Sequence, residues 1–250
     1  MNYRIVICSH KRPERLFNLT LNLLQRNKIK PNKVDIYVHK SEIEDYYAIN
    51  NKWNIIPHSK KGLKNIRTWV SNQYENGSKI VFMDDDIKNI IHFIDKKKYN
   101  KNDNNLRNLI KDGFNACQKY KCSLWGCCPY DNPFFGNQTI STNLKYIIQA
   151  CCGVILNHKA EKRSYTTIED FERTIKYYLK DKGVVRVNYY GLETKYYDTG
   201  GLDEYRNFKN KEKDIINLCN KYPKLVSIKY KKKREKASDV DVRFNYRHKF

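Results

Sequence analysis

Short apolar runs alternate with segments of helical spacing along the first third of the chain. Arg4-Ile5-Val6-Ile7-Cys8 predicts a strand, and Ser9-His10-Lys11-Arg12-Pro13 breaks it, with Pro13 placed to open a helix. That helix, about Glu14 to Arg26, sets Leu16, Leu19, Leu23 and Leu24 at helical spacing. Val34-Asp35-Ile36-Tyr37-Val38 and Trp53-Asn54-Ile55-Ile56 predict two further strands, separated by a short helix over about Glu42 to Asn51. Lys61-Gly62-Leu63 leads into a helix through Val70 and Tyr74, and Lys79-Ile80-Val81-Phe82-Met83 predicts a fourth strand, β-branched and wholly apolar after its lysine. Such alternation argues for βαβ units: an α/β fold with a single, Rossmann-like, mainly parallel sheet flanked by helices.

The pattern loosens downstream. Leu106 to Tyr120 predicts an amphipathic helix with Leu106, Leu109, Ile110 and Phe114 on one face. Ser123 to Cys128 predicts a strand, Pro129 to Asn143 a loop, and Tyr146 to Leu156 an apolar run interrupted by Gly153. A helix over Phe171 to Leu179, a strand over Val184 to Tyr190, a helix over Tyr205 to Asn220 and a strand over Leu225 to Tyr230 follow. Beyond Lys231 charge dominates, which predicts one domain over 1–230 and a basic C-terminal tail over 231–250.

Charge changes the picture most. With 49 basic and 27 acidic residues the net charge is +22, which favours a polyanionic partner, nucleic acid before a membrane surface. Lysine outnumbers arginine in a chain also rich in Asn, Ile and Tyr, so an AT-biased genome accounts for part of the excess. The eight cysteines, several within apolar runs, suit buried reduced thiols; a zinc site built from Cys117, Cys122, Cys127 and Cys128 lacks a paired C-x2-C spacing. No stretch is apolar enough to span a bilayer and no signal peptide is evident, so the expected location is the cytoplasm.

The candidate chemistry begins where the fourth strand ends, in Asp84-Asp85-Asp86. Three adjacent carboxylates repel one another and call for a positive counter-charge, for which Mg²⁺ or Mn²⁺, a hard cation with oxygen ligands, is the natural candidate. On an extended chain Asp84 and Asp86 point the same way and Asp85 points elsewhere. A solvated acidic turn is the plain alternative. Neither a G-x-G-x-x-G nor a G-x-x-x-x-G-K-[ST] loop is present, so the aspartates and a metal would take over the neutralisation of phosphates. Ligands of open α/β sheets sit beyond the carboxyl ends of the strands, which brings the Ser9 to Arg15 loop and the acidic triplet to one crevice.

The strand-one loop, Gly62-x-x-x-x-Arg67, the apolar strand closing on Asp84-x-Asp86 and the downstream Glu169-Asp170 together resemble the GT-A glycosyltransferases over about Arg4 to Tyr190. The resemblance implies that Asp84 and Asp86 hold Mn²⁺ or Mg²⁺ and the diphosphate of a nucleotide sugar. It also implies that Asp170, or Glu169, deprotonates the acceptor, and that Arg67 lies near the nucleotide. Arg12 and Arg15 are expected to bind nucleotide or phosphate, Asp85 to touch ribose or sugar, and Gly200 and Gly201 to let backbone approach sugar or acceptor. The Thr167 to Asp170 segment and Tyr197-Asp198-Thr199-Gly200-Gly201-Leu202 with Arg206 are similar to the TET-associated glycosyltransferases of phages and viruses. That narrower resemblance implies a UDP-linked donor such as UDP-glucose or UDP-N-acetylglucosamine, a 5-hydroxymethylated pyrimidine of DNA as acceptor, and an infected host cytoplasm.

Several alternatives stand beside this reading. Glu169 and Asp170 also suit a helix start favoured by the macrodipole. The acceptor is equally a protein or glycan on fold grounds, and a nucleic-acid-binding module or a metal-dependent nuclease would also explain clustered carboxylates on a basic chain. His158 and His248 are candidates for a further metal ligand. Trp125, Tyr130, Phe134 and Phe135 are candidates either for stacking a flipped base or for the core.

Overall fold

The computed structural model describes residues 1–49, 52–194, 208–230 and 240–250. The strands are β1 (Arg4–Ser9), β2 (Val34–His39), β3 (Asn54–His58), β4 (Lys79–Met83), β5 (Ile87–Phe93), β6 (Tyr99–Asn100), β7 (Leu124–Cys128), β8 (Ile140–Ser141), β9 (Cys151–Ile155), β10 (Val185–Thr194), β11 (Val226–Tyr230) and β12 (Val240–Phe244). Ten form one sheet in the order β3-β2-β1-β4-β9-β7-β10-β5-β6, with β8 on β10. The half built from β3, β2, β1 and β4 is parallel, as the alternation predicts. The other half is mixed: β9 runs antiparallel to β4 and β7, and β5 antiparallel to β10. The chain re-enters that half by turns and loops as well as by helical crossovers, so a parallel direction is not imposed there.

Alternation along each central strand feeds both faces. Ile5, Ile7, Val81 and Met83 belong to one apolar cluster, whereas Val6, Ile80 and Phe82 belong to the other. This is the period of two expected for strands covered on both sides, and it explains why the runs read as continuously apolar. Helices Leu63–Ser71 and Glu169–Asp181 pack on the second face and Asn105–Tyr120 on the first. Trp125 is fully buried between two glycines, Gly113 of the Asn105–Tyr120 helix and Gly153 of β9; a Cβ on either would lie 2.3 or 2.1 Å from the indole. The glycine that interrupts the Tyr146–Leu156 run is therefore a seat for an aromatic ring. Seven cysteines are buried thiols and Cys8 is half-buried.

Three boundaries differ from the sequence pattern. The acidic triplet is a turn, not the extended end of a strand, because β5 starts directly after it at Ile87. The first helix is interrupted by a π-helical turn over Phe17–Leu21, between α-helical Pro13–Leu16 and Asn22–Arg26. Of the segment read as a basic tail, residues 231–239 lie outside the described residues, but Val240–Phe244 pairs antiparallel with Val226–Tyr230. Val242 and Phe244 join the second core cluster, an alternating apolar set that the surrounding charge conceals in sequence.

Gly153→Ala is expected to lower stability by about 1–3 kcal/mol through overpacking against Trp125; urea unfolding followed by tryptophan fluorescence measures it, and unchanged stability would contradict the tight seat.

Candidate functional site

The carboxyl ends of β1, β2 and β3, the start of the Leu63–Ser71 helix and the turn after β4 enclose a cleft of about 620 Å³. This is where an open α/β sheet offers a crevice. Gly62 caps the helix at φ 78°, a conformation that costs glycine little, and no atom lies within 4 Å of where its Cβ would be. Lys11, also lining the cleft, takes φ 55°, and Glu42 accepts a 2.6 Å hydrogen bond from its amide. A carboxylate of the next strand's loop thus holds the turn after β1 in its sparsely populated conformation.

All three aspartates line the cleft, and each faces an arginine of the chain itself. Asp84 accepts a 2.7 Å bond from Arg67, while Arg12 and Arg15 approach Asp85 and Asp86 at 3.7 Å. Asp85 is the most enclosed: Ser9 Oγ donates to it at 2.6 Å, and the Tyr46 hydroxyl meets the same Ser9 oxygen at 2.7 Å. Asp85 therefore ties the loop after β1 to the turn after β4, and does not point away from the crevice as an extended strand would require. Burial, then the charges of Asp84 and Asp85, push the Asp86 carboxyl up to about 7 against the opposing pull of Arg15 and Arg12. Burial raises the Asp85 carboxyl too. Thr20, fully buried in the π-helical turn, donates to the Asp84 carbonyl at 2.8 Å and accepts from the Ile87 amide at 3.0 Å, bracing both ends of the turn. Burial pushes the Cys8 thiol up to about 12, which keeps this cleft residue neutral and a poor nucleophile.

Behind the cleft runs a chain of alternating buried charge. Arg67 bonds Asp84 with one amino group and Glu169 with the other. Arg163 meets the second Glu169 oxygen at 2.9 Å and Glu161 at 2.8 Å, and Arg173 meets the other Glu161 oxygen at 2.9 Å. Arg163, Glu161 and Arg173 are each 5% exposed or less. Burial alone would raise the Glu161 carboxyl, but Arg163 and Arg173 outweigh it and hold it at about 2. Arg67 is thus a buried bridge between two carboxylates.

Glu169, expected as an alternative base, sits 3% exposed between two guanidiniums. Each of its two oxygens is taken by a guanidinium, so the structure places Glu169 as a support of Arg67 and Arg163. Asp170 is half-buried and accepts a hydrogen bond from the Tyr146 hydroxyl; burial, then the Glu169 charge, pushes its carboxyl up to about 6. It does not line the cleft, and neither does Arg15. Gly200 and Gly201 lie outside the described residues. His158 bonds the Tyr74 carbonyl and His248 the Tyr178 hydroxyl, so neither faces the cleft. The histidines that do are His10, His39 and His58, the last lowered to about 4 by burial and by its two neighbours. Among the described residues no three His, Cys, Asp or Glu side chains gather as a ready-made metal site. Sequence reasoning missed Thr20, Tyr46, Tyr146 and Arg163; a polar residue within a helix's apolar stripe, as at Thr20, was the one available signal.

Neither a family model nor a curated protein matches the chain. Solved structures do. S. aureus TarS residues 1–349 superposes with a TM-score of 0.53 at 12% identity, over 88% of this chain and 66% of that one. The same TarS fragment in complex with UDP gives 0.49 at 13% identity over the same shares. The fold is GT-A-like. This chain spans just under two thirds of the TarS fragment it matches. Among the described residues, no helix is long and apolar enough to cross a membrane.

Glu161→Gln strands two buried guanidiniums and is expected to cost about 3–5 kcal/mol in chemical unfolding. Because the folded carboxyl is held at about 2, the contribution of Glu161 is fully present above its unfolded range near 4.5 and is lost as pH falls towards 2. Acid titration of stability should therefore be shallower in the variant than in the parent; parallel titrations would contradict the network.

Proposed function

We propose that the chain is a metal-dependent glycosyltransferase that moves a sugar from a nucleotide donor to a 5-hydroxymethylated pyrimidine of DNA. The observation that carries the transferase reading is the cleft at the carboxyl ends of parallel strands, floored by a glycine-capped helix start and closed by Asp84 and Asp86. A UDP-linked sugar, UDP-glucose or UDP-N-acetylglucosamine, is the donor we put first; TarS 1–349 is described in complex with UDP.

Asp84 and Asp86 would hold Mn²⁺ or Mg²⁺. The fit rests on donor chemistry: two hard carboxylates line one cleft. Such ions are commonly held by one or two carboxylates with substrate phosphates completing the shell. Bound there, the cation supplies electrostatic stabilisation of the departing diphosphate. The chain's own residues do the rest. Arg67 fixes the Asp84 carboxylate in one orientation. Ser9 and Asp85 hold the β1 loop, and with it Arg12, at the cleft wall. The amino end of the Leu63–Ser71 helix offers its dipole to phosphate. Asp170 is the base that takes the acceptor hydroxyl proton: its carboxyl, raised to about 6, is ionised near neutral pH yet more basic than a solvated aspartate. Tyr146 orients it by donating its hydroxyl hydrogen. Gly200 and Gly201 are assigned to the approach of sugar or acceptor. The net charge of +22 supports a polyanionic acceptor and hence DNA.

The test is a donor and acceptor screen by intact mass with Mn²⁺, nucleotide sugars and oligonucleotides carrying cytosine, 5-hydroxymethylcytosine or 5-hydroxymethyluracil. One sugar added to a hydroxymethylated strand is the expected result. Donor hydrolysis without a DNA adduct would refute the acceptor, and neither hydrolysis nor donor binding would refute the transferase. In the same assay Asp84→Asn and Asp86→Asn should each lower the rate by on the order of a hundredfold or more without loss of fold. At saturating Mn²⁺, which would keep Asp86 ionised, the rate should rise with pH through about 6 as Asp170 loses its proton, and Asp170→Asn should abolish that limb along with roughly 10²–10⁴ of the rate; an unaltered limb in the variant would remove Asp170 from the chemistry.

A further inference from the structure

Tyr130, Phe134 and Phe135 are not core: they are 54%, 64% and 52% exposed. They form one cluster, with ring centroids 4.9 Å apart for Tyr130 and Phe135 and 5.5 Å for Phe134 and Phe135. The short 3-10 turn Pro133–Phe135 carries two of them, capped by Asn132, whose side chain accepts from the Phe134 amide at 2.9 Å. Gln138 donates to the Phe93 and Ile94 carbonyls and so fastens this loop to the β5–β6 turn. Gly136 packs so closely on Phe93 that a Cβ would lie 2.1 Å from the ring. In the β5–β6 turn the Asp95 carboxylate accepts from the Lys97 and Lys98 amides, both at 2.7 Å, which sets Lys96, Lys97 and Lys98 on a tight exposed corner. Rigid aromatics and a basic corner are thus two sides of one fastened surface.

Its place in the sheet matters. Phe82 of β4 and Gly126 of β7 both pair with Cys152 of β9, so β4 and β7 run in the same direction and end at the same level. Tyr130 leaves β7 at the sheet edge where Asp84–Asp86 leaves β4, two strand spacings away, roughly 10 Å across the sheet. None of the aromatics or these lysines lines the donor cleft.

We infer that this surface binds an unpaired stretch of polynucleotide, its bases stacked on Phe134, Phe135 and Tyr130 and its phosphates on Lys96–Lys98. Large exposed aromatics cost solubility unless a flat partner covers them, and stacking platforms flanked by lysine are how proteins hold single strands without reading sequence. The lysine corner and the charge of +22 select a polyanion over a neutral glycan as the partner. The inference deepens the nucleic-acid acceptor proposed above and rests on it; it brings unpaired bases to the edge that carries the acidic triplet.

The experiment measures binding of fluorescein-labelled oligothymidylate, and of a matched abasic strand, by anisotropy against salt. The double variant Phe134→Ala/Phe135→Ala should weaken oligothymidylate at least about tenfold and leave the abasic strand unchanged. Lys96→Glu/Lys97→Glu/Lys98→Glu should weaken both strands and reduce the salt slope by about 2. These side chains are exposed, so melting temperature and donor binding by calorimetry should match the parent in each variant. Equal affinity for both strands in the parent, or phenylalanine variants that change only oligomeric state or glycan retention, would overturn the inference. Intact oligonucleotide binding with no sugar transfer would uphold this surface and overturn the preceding reading instead.

Discussion

Arg67 is the residue on which the rest of the site depends. Its two amino groups join Asp84, which lines the cleft, to Glu169, at the start of a helix 102 residues beyond Arg67 itself. The guanidinium is planar and always charged, so it can bridge two carboxylates where a lysine would satisfy only one direction at a time. Burying it is costly unless both sides are paired, and the chain Asp84–Arg67–Glu169–Arg163–Glu161–Arg173 alternates in sign to its end. Such a network is weak evidence for stability, because desolvation opposes its Coulombic gain. What it provides is a single arrangement: shifting the Glu169–Asp181 helix would break ion pairs at both ends. The position of Asp170 is inherited from its neighbour's pairing.

The same logic governs the acidic triplet. Three carboxylates in one turn would open the loop if left to repel, so the fold surrounds them with Arg12, Arg15 and Arg67 and pins the turn's backbone with Thr20. The π-helical turn is the local cost of that pin: the widened turn, of a kind often found at functional sites, carries a fully buried threonine where a regular helix would continue its apolar stripe. Burial, more than repulsion from its neighbours, raises the Asp86 carboxyl within this turn.

Much of the parallel half of the fold was legible because its strands are covered on both faces, and double coverage leaves an unbroken apolar run between polar loops. Pro13 and Gly62 marked helix starts for stereochemical reasons that hold in any context. The mixed half was less legible. β5 follows the triplet without a connecting segment, and β12 hides its alternating Val240, Val242 and Phe244 among charged residues. Strand direction in that half follows from which neighbour each strand pairs with, a long-range fact that no local pattern carries. In the site, the Ser9 to Arg15 loop and the acidic triplet were read to one crevice; the three aspartates and Arg12 line it and Arg15 does not, while Arg67, expected near a nucleotide, lines it as well. The pairing of Glu169 was not legible, because an acidic residue at a helix start looks the same whether it meets solvent, substrate or two buried arginines.

By itself, then, the sequence determined the α/β layering, the edge at which the strands of the parallel half end, and the acidic and basic residue types available there, since these depend on periodicity and on chemistry local to a few residues. The tertiary structure alone decided which charge faces which. Partners such as Arg67 and Glu169, Ser9 and Asp85, or Thr20 and Asp84 are separated by tens of residues or more and meet only when the sheet is assembled. Whether a carboxylate is a clamp, a support or a proton acceptor is set by those meetings, because burial and neighbouring charge, not residue identity, determine how tightly it holds a proton.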